Sequence, residues 1–179
     1  MFVRNLKEVG RYLVLILGPV VLQVAFVSHV TVLGVTADLF FITTILVALT
    51  RGRLAGAALG FVCGLAADIA YMQPLGVRSL IYVLVAYAAA VVMTRLGTVG
   101  PGAMLLVAGG LSFASQLLYG VVQYVTGPRG GFLELIAFQV LPGATLDALI
   151  TLPAYWVLVR LRILPPIGPE VFATQGEET

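Results

Sequence analysis

Residues 52–71 read GRLAGAALGFVCGLAADIAY and contain no charged side chain between Arg53 and Asp68. A helix needs about 20 mainly apolar residues to cross roughly 30 Å of hydrocarbon, and this stretch is long enough to do so. Glycine recurs in it every four residues, and residues four apart lie near one face of a helix. The stretch therefore predicts a membrane-spanning helix with one glycine-lined face.

The glycine face consists of Gly52, Gly56, Gly60 and Gly64, and Asp68 stands at the next step of four. Glycines on one face expose the backbone and allow a second helix to approach closely. That second helix can belong to the same chain, which makes this a packing surface, or to a partner protein, which makes it a binding surface. The spacing alone leaves both interpretations open.

The rest of the chain is equally apolar. Hydrophobic residues make up 60% of the 179 residues and charged residues 10%, whereas soluble domains carry about 25% charged residues. So few charges cannot cover a surface that faces water, so the composition predicts an integral membrane protein and excludes a soluble enzyme. The first apolar run, which is uncharged from Tyr12 to Ala37, exceeds the apolar core of a signal peptide and predicts an uncleaved span.

Turns rich in glycine, proline and arginine divide the sequence into an all-α bundle of six transmembrane helices, forming one domain over residues 1–163. The proline-containing acidic stretch 164–179 predicts a disordered cytoplasmic tail. Residues 132–141 can belong to a long sixth span or form a short surface helix that ends at Pro142 and Gly143. The surface helix is the preferred interpretation, because residues 132–159 exceed the length of one crossing. The predicted spans are 12–28, 37–50, 54–71, 79–94, 103–126 and 144–159.

The basic residues predict the orientation. Six spans with a cytoplasmic N-terminus place most lysines and arginines inside, as the positive-inside rule requires, and both termini are then cytoplasmic. Arg51, Arg53 and Arg95 can then face cytoplasmic partners or bind anionic lipid headgroups. The predicted inner residues are Arg4, Lys7, Arg11, Arg51, Arg53, Arg95, Arg160 and Arg162, against Arg78 and Arg129 outside.

Three acids, Asp38, Asp68 and Asp147, are predicted to collect at the outer side near Arg78. Ionisable groups within a membrane are costly and usually face the interior of the bundle. Asp38 can cap the second helix, while Asp68 and Asp147 can accept hydrogen bonds or pair with Arg78. The same residues can instead line an outward pocket for a partner or ligand.

Other polar groups add little chemistry. Gln23 and Gln116 are intramembrane amides that predict hydrogen bonds between helices. Cys63 and His29 are the only cysteine and histidine, so a disulfide within the chain and a zinc finger are excluded by count. A metal site that combines His29 with the acids is the weaker alternative to a solvated histidine. No cofactor, metal or nucleic-acid partner is predicted.

Several motifs together resemble the rod shape-determining protein MreD family. They are Leu22-Gln23, Ala37-Asp38-Leu39, the glycine face running into Asp68, the following Leu75-Gly76, and more weakly Thr145-Leu146-Asp147 with Pro153. Two positions depart from the family pattern, which often has a proline at the position of Ala37 and an amide at that of Asp147.

The resemblance implies a non-enzymatic scaffold of the bacterial cell-elongation machinery in the inner membrane. It implies MreC as the closest partner, with MreB, the RodA glycosyltransferase and its penicillin-binding transpeptidase as members of the complex, besides membrane lipids. It also implies a fold similar to the six-helix substrate-binding subunits of energy-coupling-factor vitamin transporters. The alternative function is therefore a substrate-binding subunit of a small-molecule transporter, with its pocket near Asp38, Asp68 and Asp147.

Overall fold

The computed structural model describes residues 2–25, 31, 34–96, 101–126 and 132–167, and within these every regular element is a helix. A π-helical turn, Ile136–Val140, joins the sixth and seventh α-helices into one continuous rod, so that the described part of the chain forms six rods. The prediction of an all-α architecture is confirmed, while residues 26–28 of the first predicted span and 168–179 of the predicted tail lie outside the described residues. The helices are α1 (Phe2–Ala25), α2 (Leu39–Arg51), α3 (Arg53–Ala70), α4 (Val77–Leu96), α5 (Pro101–Thr126), α6 (Phe132–Leu135) and α7 (Leu141–Arg160).

Among the described residues, four helical stretches are long and apolar enough to cross a membrane, namely Arg53–Ala70, Val77–Leu96, Gly102–Val125 and Ile136–Arg160. The apolar part of α1, Leu13–Gln23, and the whole of α2 are shorter. The chain therefore has the architecture of a multi-pass membrane protein.

Helix α2 is short and lies at the centre of the bundle. Asp38 caps its first turn, Gly52 ends it with a φ of 90°, and every residue from Phe40 to Thr50 is buried. It contacts α1, α3, α4, α5 and α7. The hydroxyl groups of Thr43 and Thr44 donate to backbone carbonyls of the same helix one turn earlier, so they are satisfied without water. Helix α2 is thus an internal helix with little surface left for lipid.

The glycine face of α3 packs within the chain. A Cβ on Gly56 would lie 2.5 Å from the Cβ of Ala48 in α2. One on Gly64 would lie 2.5 Å from the backbone nitrogen of Ser79 in α4, and Gly60 faces both helices. Four residues of α-helix turn through about 400°, so the face drifts by about 40° at each step. The drift explains why one row of glycines serves two neighbouring helices in succession.

The predicted break at Pro142 and Gly143 is wrong, because the backbone continues as helix from Phe132 to Arg160. A proline within a helix lacks an N–H and its ring collides with the carbonyl four residues earlier. Here Pro142 stands at the start of α7, directly after the π-helical turn, and the wider π geometry makes room for the ring. Residues 132–141 are therefore continuous with the last span rather than a separate helix.

The chain folds back after α7. The Arg51 guanidinium donates to the carbonyl of Ile163 over 2.9 Å, and the side chain of Leu164 is buried. The hydroxyl of Tyr155 accepts from the backbone N–H of Ile167 over 2.9 Å. The first residues of the predicted disordered tail, 164–167, thus pack against the end of the bundle at which α2 ends.

Candidate functional site

The polar side chains of the bundle gather at one end, called here the Asp38 end, where α2, α4 and α7 begin and α3 and α5 finish. Asp38 precedes α2, and its Oδ1 accepts the backbone N–H of Phe41 over 3.1 Å. This is the N-cap arrangement, in which a carboxylate satisfies a donor that the first helical turn leaves unpaired. The other oxygen of Asp38, Oδ2, accepts hydrogen bonds from two side chains of α4.

Arg78 binds that second oxygen. Its Nη1 lies 3.0 Å from Asp38 Oδ2, and the Tyr82 hydroxyl donates to the same oxygen. The guanidinium carbon lies 4.8 Å from the centre of the Tyr71 ring and 4.4 Å from that of Tyr119, within the range of cation–π attraction. Arg78 thereby joins the starts of α2 and α4 to the ends of α3 and α5.

Asp68 closes the connection between α3 and α4. It is fully buried, and its carboxylate accepts the backbone N–H groups of Gly76 over 2.7 Å and of Arg78 over 3.3 Å. Gly76 has a φ of 97°, a conformation that glycine adopts at no steric cost. Asp68 is therefore a local organiser of the turn and does not pair with the Arg78 side chain.

Asp147 lies on α7 and joins it to α2 and α5. Its Oδ1 accepts the backbone N–H of Asp38 over 2.8 Å. Its Oδ2 accepts the Ser112 hydroxyl over 2.5 Å and the Gln116 amide over 3.2 Å. Three donors on one buried carboxylate stabilise it away from water.

Gln23 ties α1 to the same end. Its amide nitrogen donates to the carbonyl of Ala37 over 2.9 Å and to the Tyr71 hydroxyl over 2.7 Å. Its amide oxygen accepts the N–H of Leu39 over 3.0 Å. Gln23 thus connects α1 with the start of α2 and the end of α3, as Gln116 connects α5 with α7.

A cavity of about 610 Å³ opens beside these residues and is called here the polar cavity. It lies between the segment before α2, the start of α4, the end of α5 and the α6–α7 rod. Among its lining residues are Asp38, Arg78, Asp147, three tyrosines and four glutamines. They are Asp38, Tyr71, Gln73, Arg78, Tyr82, Ser115, Gln116, Tyr119, Gln123, Glu134, Gln139 and Asp147, together with Gly34, Val35, Thr36, Phe41, Ile81, Phe138 and Gly143.

The structure brings together Asp38, Arg78, Asp147 and Gln116, and places Asp68 and Gln23 at the edge of the same network. Gly56, Gly60 and Gly64 lie along the α3 packing surface, where Gly60 meets the backbone of Tyr82 and Gly64 that of Arg78 and Ser79. Gly52, which was predicted to share this helix face, stands instead in the turn before α3, with a φ of 90°. Within the described residues no group of three or more His, Cys, Asp and Glu side chains could hold a metal ion, and His29 lies outside the described residues.

Sequence reasoning missed the tyrosines and Gln73. Tyr71, Tyr82 and Tyr119 fall near helix ends. Tyrosine is enriched there because those positions lie at the membrane interface, so its presence does not indicate a polar network. One signal was available for Tyr82, which follows Arg78 by four residues and so shares its helix face. The contact of Tyr119 with Gln73, whose side-chain oxygen accepts its hydroxyl, joins positions 46 residues apart and has no local signal.

These features define a polytopic helical membrane protein with a buried polar network and a cavity at one end. The sequence model of the rod shape-determining protein MreD family matches residues 7–162, and the chain belongs to that family. Its role is accordingly in rod shape determination. No curated protein and no solved structure matches the chain.

Proposed function

We propose that this protein is a non-enzymatic scaffold of the cell-elongation complex, which binds MreC in the membrane. In this role it links MreB, on the cytoplasmic side, to RodA and its penicillin-binding transpeptidase, and so supports peptidoglycan synthesis. The family match carries the proposal, since it covers most of the chain. The network adds support, because Asp38 connects α2 with α4, Asp68 organises the connection between α3 and α4, and Asp147 connects α7 with α5.

The proposal places the chain in the bacterial inner membrane with both termini in the cytoplasm. Arg51, Arg53, Arg95 and Arg160 lie at the ends of α2, α4 and α7 and at the start of α3, so they share the end of the bundle opposite Asp38. Such a concentration of arginine favours the cytoplasmic side. A maleimide that cannot cross membranes tests this with Thr31→Cys and Glu177→Cys, each in a chain where native Cys63 is fully buried.

If the orientation is right, the maleimide added to intact cells with a permeabilised outer membrane labels the cysteine at position 31. It leaves the cysteine at position 177 unlabelled until the inner membrane is opened. Labelling of position 177 from outside would reject the orientation.

We place the binding surface for MreC on one of the exposed apolar faces, because Gly56, Gly60 and Gly64 are already covered by α2 and α4. Each face has a large exposed side chain that can be replaced by tryptophan. The added bulk would disturb a contact with another protein more than a contact with lipid. One position per helix gives a matched set: Leu17, Phe61, Leu84, Leu106 and Leu149.

We expect one or two of these five tryptophan variants to lose MreC during pull-down from solubilised membranes, while their thermal unfolding stays unchanged. The same variants should fail to restore rod shape in cells that lack the protein, and the others serve as matched controls. If the wild-type chain does not retain MreC at all, the scaffold proposal fails.

A substrate-binding subunit of a small-molecule transporter is the second candidate, and the polar cavity is the observation that favours it. The two functions predict different companions in a pull-down from native membranes: MreC for the scaffold and a pair of ATPases for the transporter. Neighbouring genes give the same distinction: a neighbouring gene for MreC supports the scaffold, and neighbouring ATPase genes support the transporter.

A further inference from the structure

The polar cavity has the size of a binding site for a small molecule. Its volume of about 610 Å³ falls within the range of roughly 300–1,000 Å³ that is typical of such sites. Its lining combines a few apolar side chains with many polar ones, so any ligand must offer several hydrogen-bonding groups.

The charges in the described lining exclude a simple ion as the occupant. Three carboxylates, of Asp38, Asp147 and Glu134, face one guanidinium, of Arg78, so an anion would meet more repulsion than attraction. A cation would find Asp38 and Asp147 already surrounded by donors, three on each carboxylate. Displacing those donors would leave buried polar groups unpaired, which is costly.

The groups that remain available are carboxamides. Gln139 makes no hydrogen bond within the described residues, and its side chain is exposed in the lining. Gln73 uses only its oxygen, and Gln116 and Gln123 use only their nitrogens. A carboxamide carries both a donor and an acceptor, so four of them suit a ligand whose own groups both donate and accept.

We propose that the polar cavity binds an uncharged small molecule that carries both hydroxyl and amide groups. The inference rests on the cavity and not on the scaffold role, so either can fail without the other. Binding would place a ligand against α2, α4, α5 and the α6–α7 rod at once, and so would stabilise their arrangement at the Asp38 end.

The test uses the full chain in lipid nanodiscs and two matched sets of probes in titration calorimetry. N-acetylglucosamine is compared with glucosamine and with N-acetylglucosamine 6-phosphate, and pantothenol with pantothenate. We expect at least one uncharged probe to bind and its charged counterparts to bind about tenfold more weakly or worse. Absence of binding by both uncharged probes overturns the proposal, and so does equal or tighter binding by a charged counterpart.

Variants establish that the cavity is the place of binding. Gln139→Leu and Gln123→Leu each remove one carboxamide from the lining, and Gln139 can be replaced without loss of a described contact. Each should weaken the bound probe about fivefold, as expected for the loss of a hydrogen bond. Leu133→Ala is the control, because Leu133 is 80% exposed and does not line the cavity. Unchanged affinity in both glutamine variants places the ligand elsewhere and overturns the proposal.

Discussion

Replacing the glycines of α3 by alanine should destabilise the protein in proportion to what each new methyl group meets. At Gly64 the methyl carbon would lie 2.5 Å from the backbone nitrogen of Ser79, and ordinary contact begins at 3.4 Å. Helices α3 and α4 would have to separate by at least about 0.9 Å at this point, and by more to clear the nearer Cα of Ser79, because a backbone atom cannot rotate away. Gly110 in α5 has nothing within 4 Å of the same methyl position.

The expected cost follows from these distances. Overpacking of a rigid contact costs about 1–3 kcal/mol, while alanine in place of glycine favours a helix by about 0.5–1 kcal/mol. The helix preference is common to both substitutions and cancels when they are compared. Gly64→Ala should therefore unfold with a free energy about 2–3 kcal/mol below that of Gly110→Ala, near the upper end because the contact is with backbone.

Thermal unfolding of both variants in one detergent measures the difference. At about 2–4 °C per kcal/mol for a chain of this size, the Tm of Gly64→Ala should lie about 4–12 °C below that of Gly110→Ala. Gly109→Ala, whose methyl carbon would meet only the Cβ of Ala148 at 3.2 Å, should fall between them. Equal Tm values for Gly64→Ala and Gly110→Ala would refute the close packing of α3 on α4.

Three further changes address the polar network. Asp38→Asn keeps a capping side chain but removes the charge that compensates Arg78. We expect it to lower the free energy of unfolding by about 1–3 kcal/mol, and Asp38→Ala to lower it by about 1 kcal/mol more. Denaturant titration measures both losses. Asp147→Asn retains an acceptor and should cost less than about 1 kcal/mol of unfolding free energy. Asp147→Leu leaves three donors unpaired and should lower the Tm by several degrees. Equal Tm values for these two variants would contradict the network. Gln23→Leu removes the bonds of α1 to α2 and Tyr71, so amide hydrogen exchange in α1 should quicken more than in α4.

The sequence was most informative where a single helix decides the structure. The four long spans follow from uncharged apolar runs, and the capping role of Asp38 follows from its position before such a run. The spacing of the glycines pointed to a close helix contact, which the structure has at Gly56, Gly60 and Gly64. The spacing could not say which helix makes the contact. The glycine face rotates along α3, so Gly56 meets α2 and Gly64 meets α4, and this assignment depends on where the other helices lie.

The polar site was predictable only in part, for the same reason. Asp38, Arg78 and Asp147 stood out because charge is rare in apolar stretches. Their pairing was not readable, since Asp38 and Asp147 are separated by 109 positions in the chain. The continuity of the last helix through Pro142 was also missed, because a proline normally signals an end and the π-helical turn that accommodates it has no clear sequence signature.

The fold-back after α7 decides where this chain tolerates an added or removed segment. The hydrogen bonds of Arg51 with Ile163 and of Tyr155 with Ile167 fasten seven residues beyond the last helix to the bundle. A fluorescent protein fused after residue 179 would leave these hydrogen bonds intact, and so would truncation just past Ile167. A cut at Arg160 would remove the buried Leu164 and uncover the apolar surface beneath it, which makes that truncation prone to aggregation.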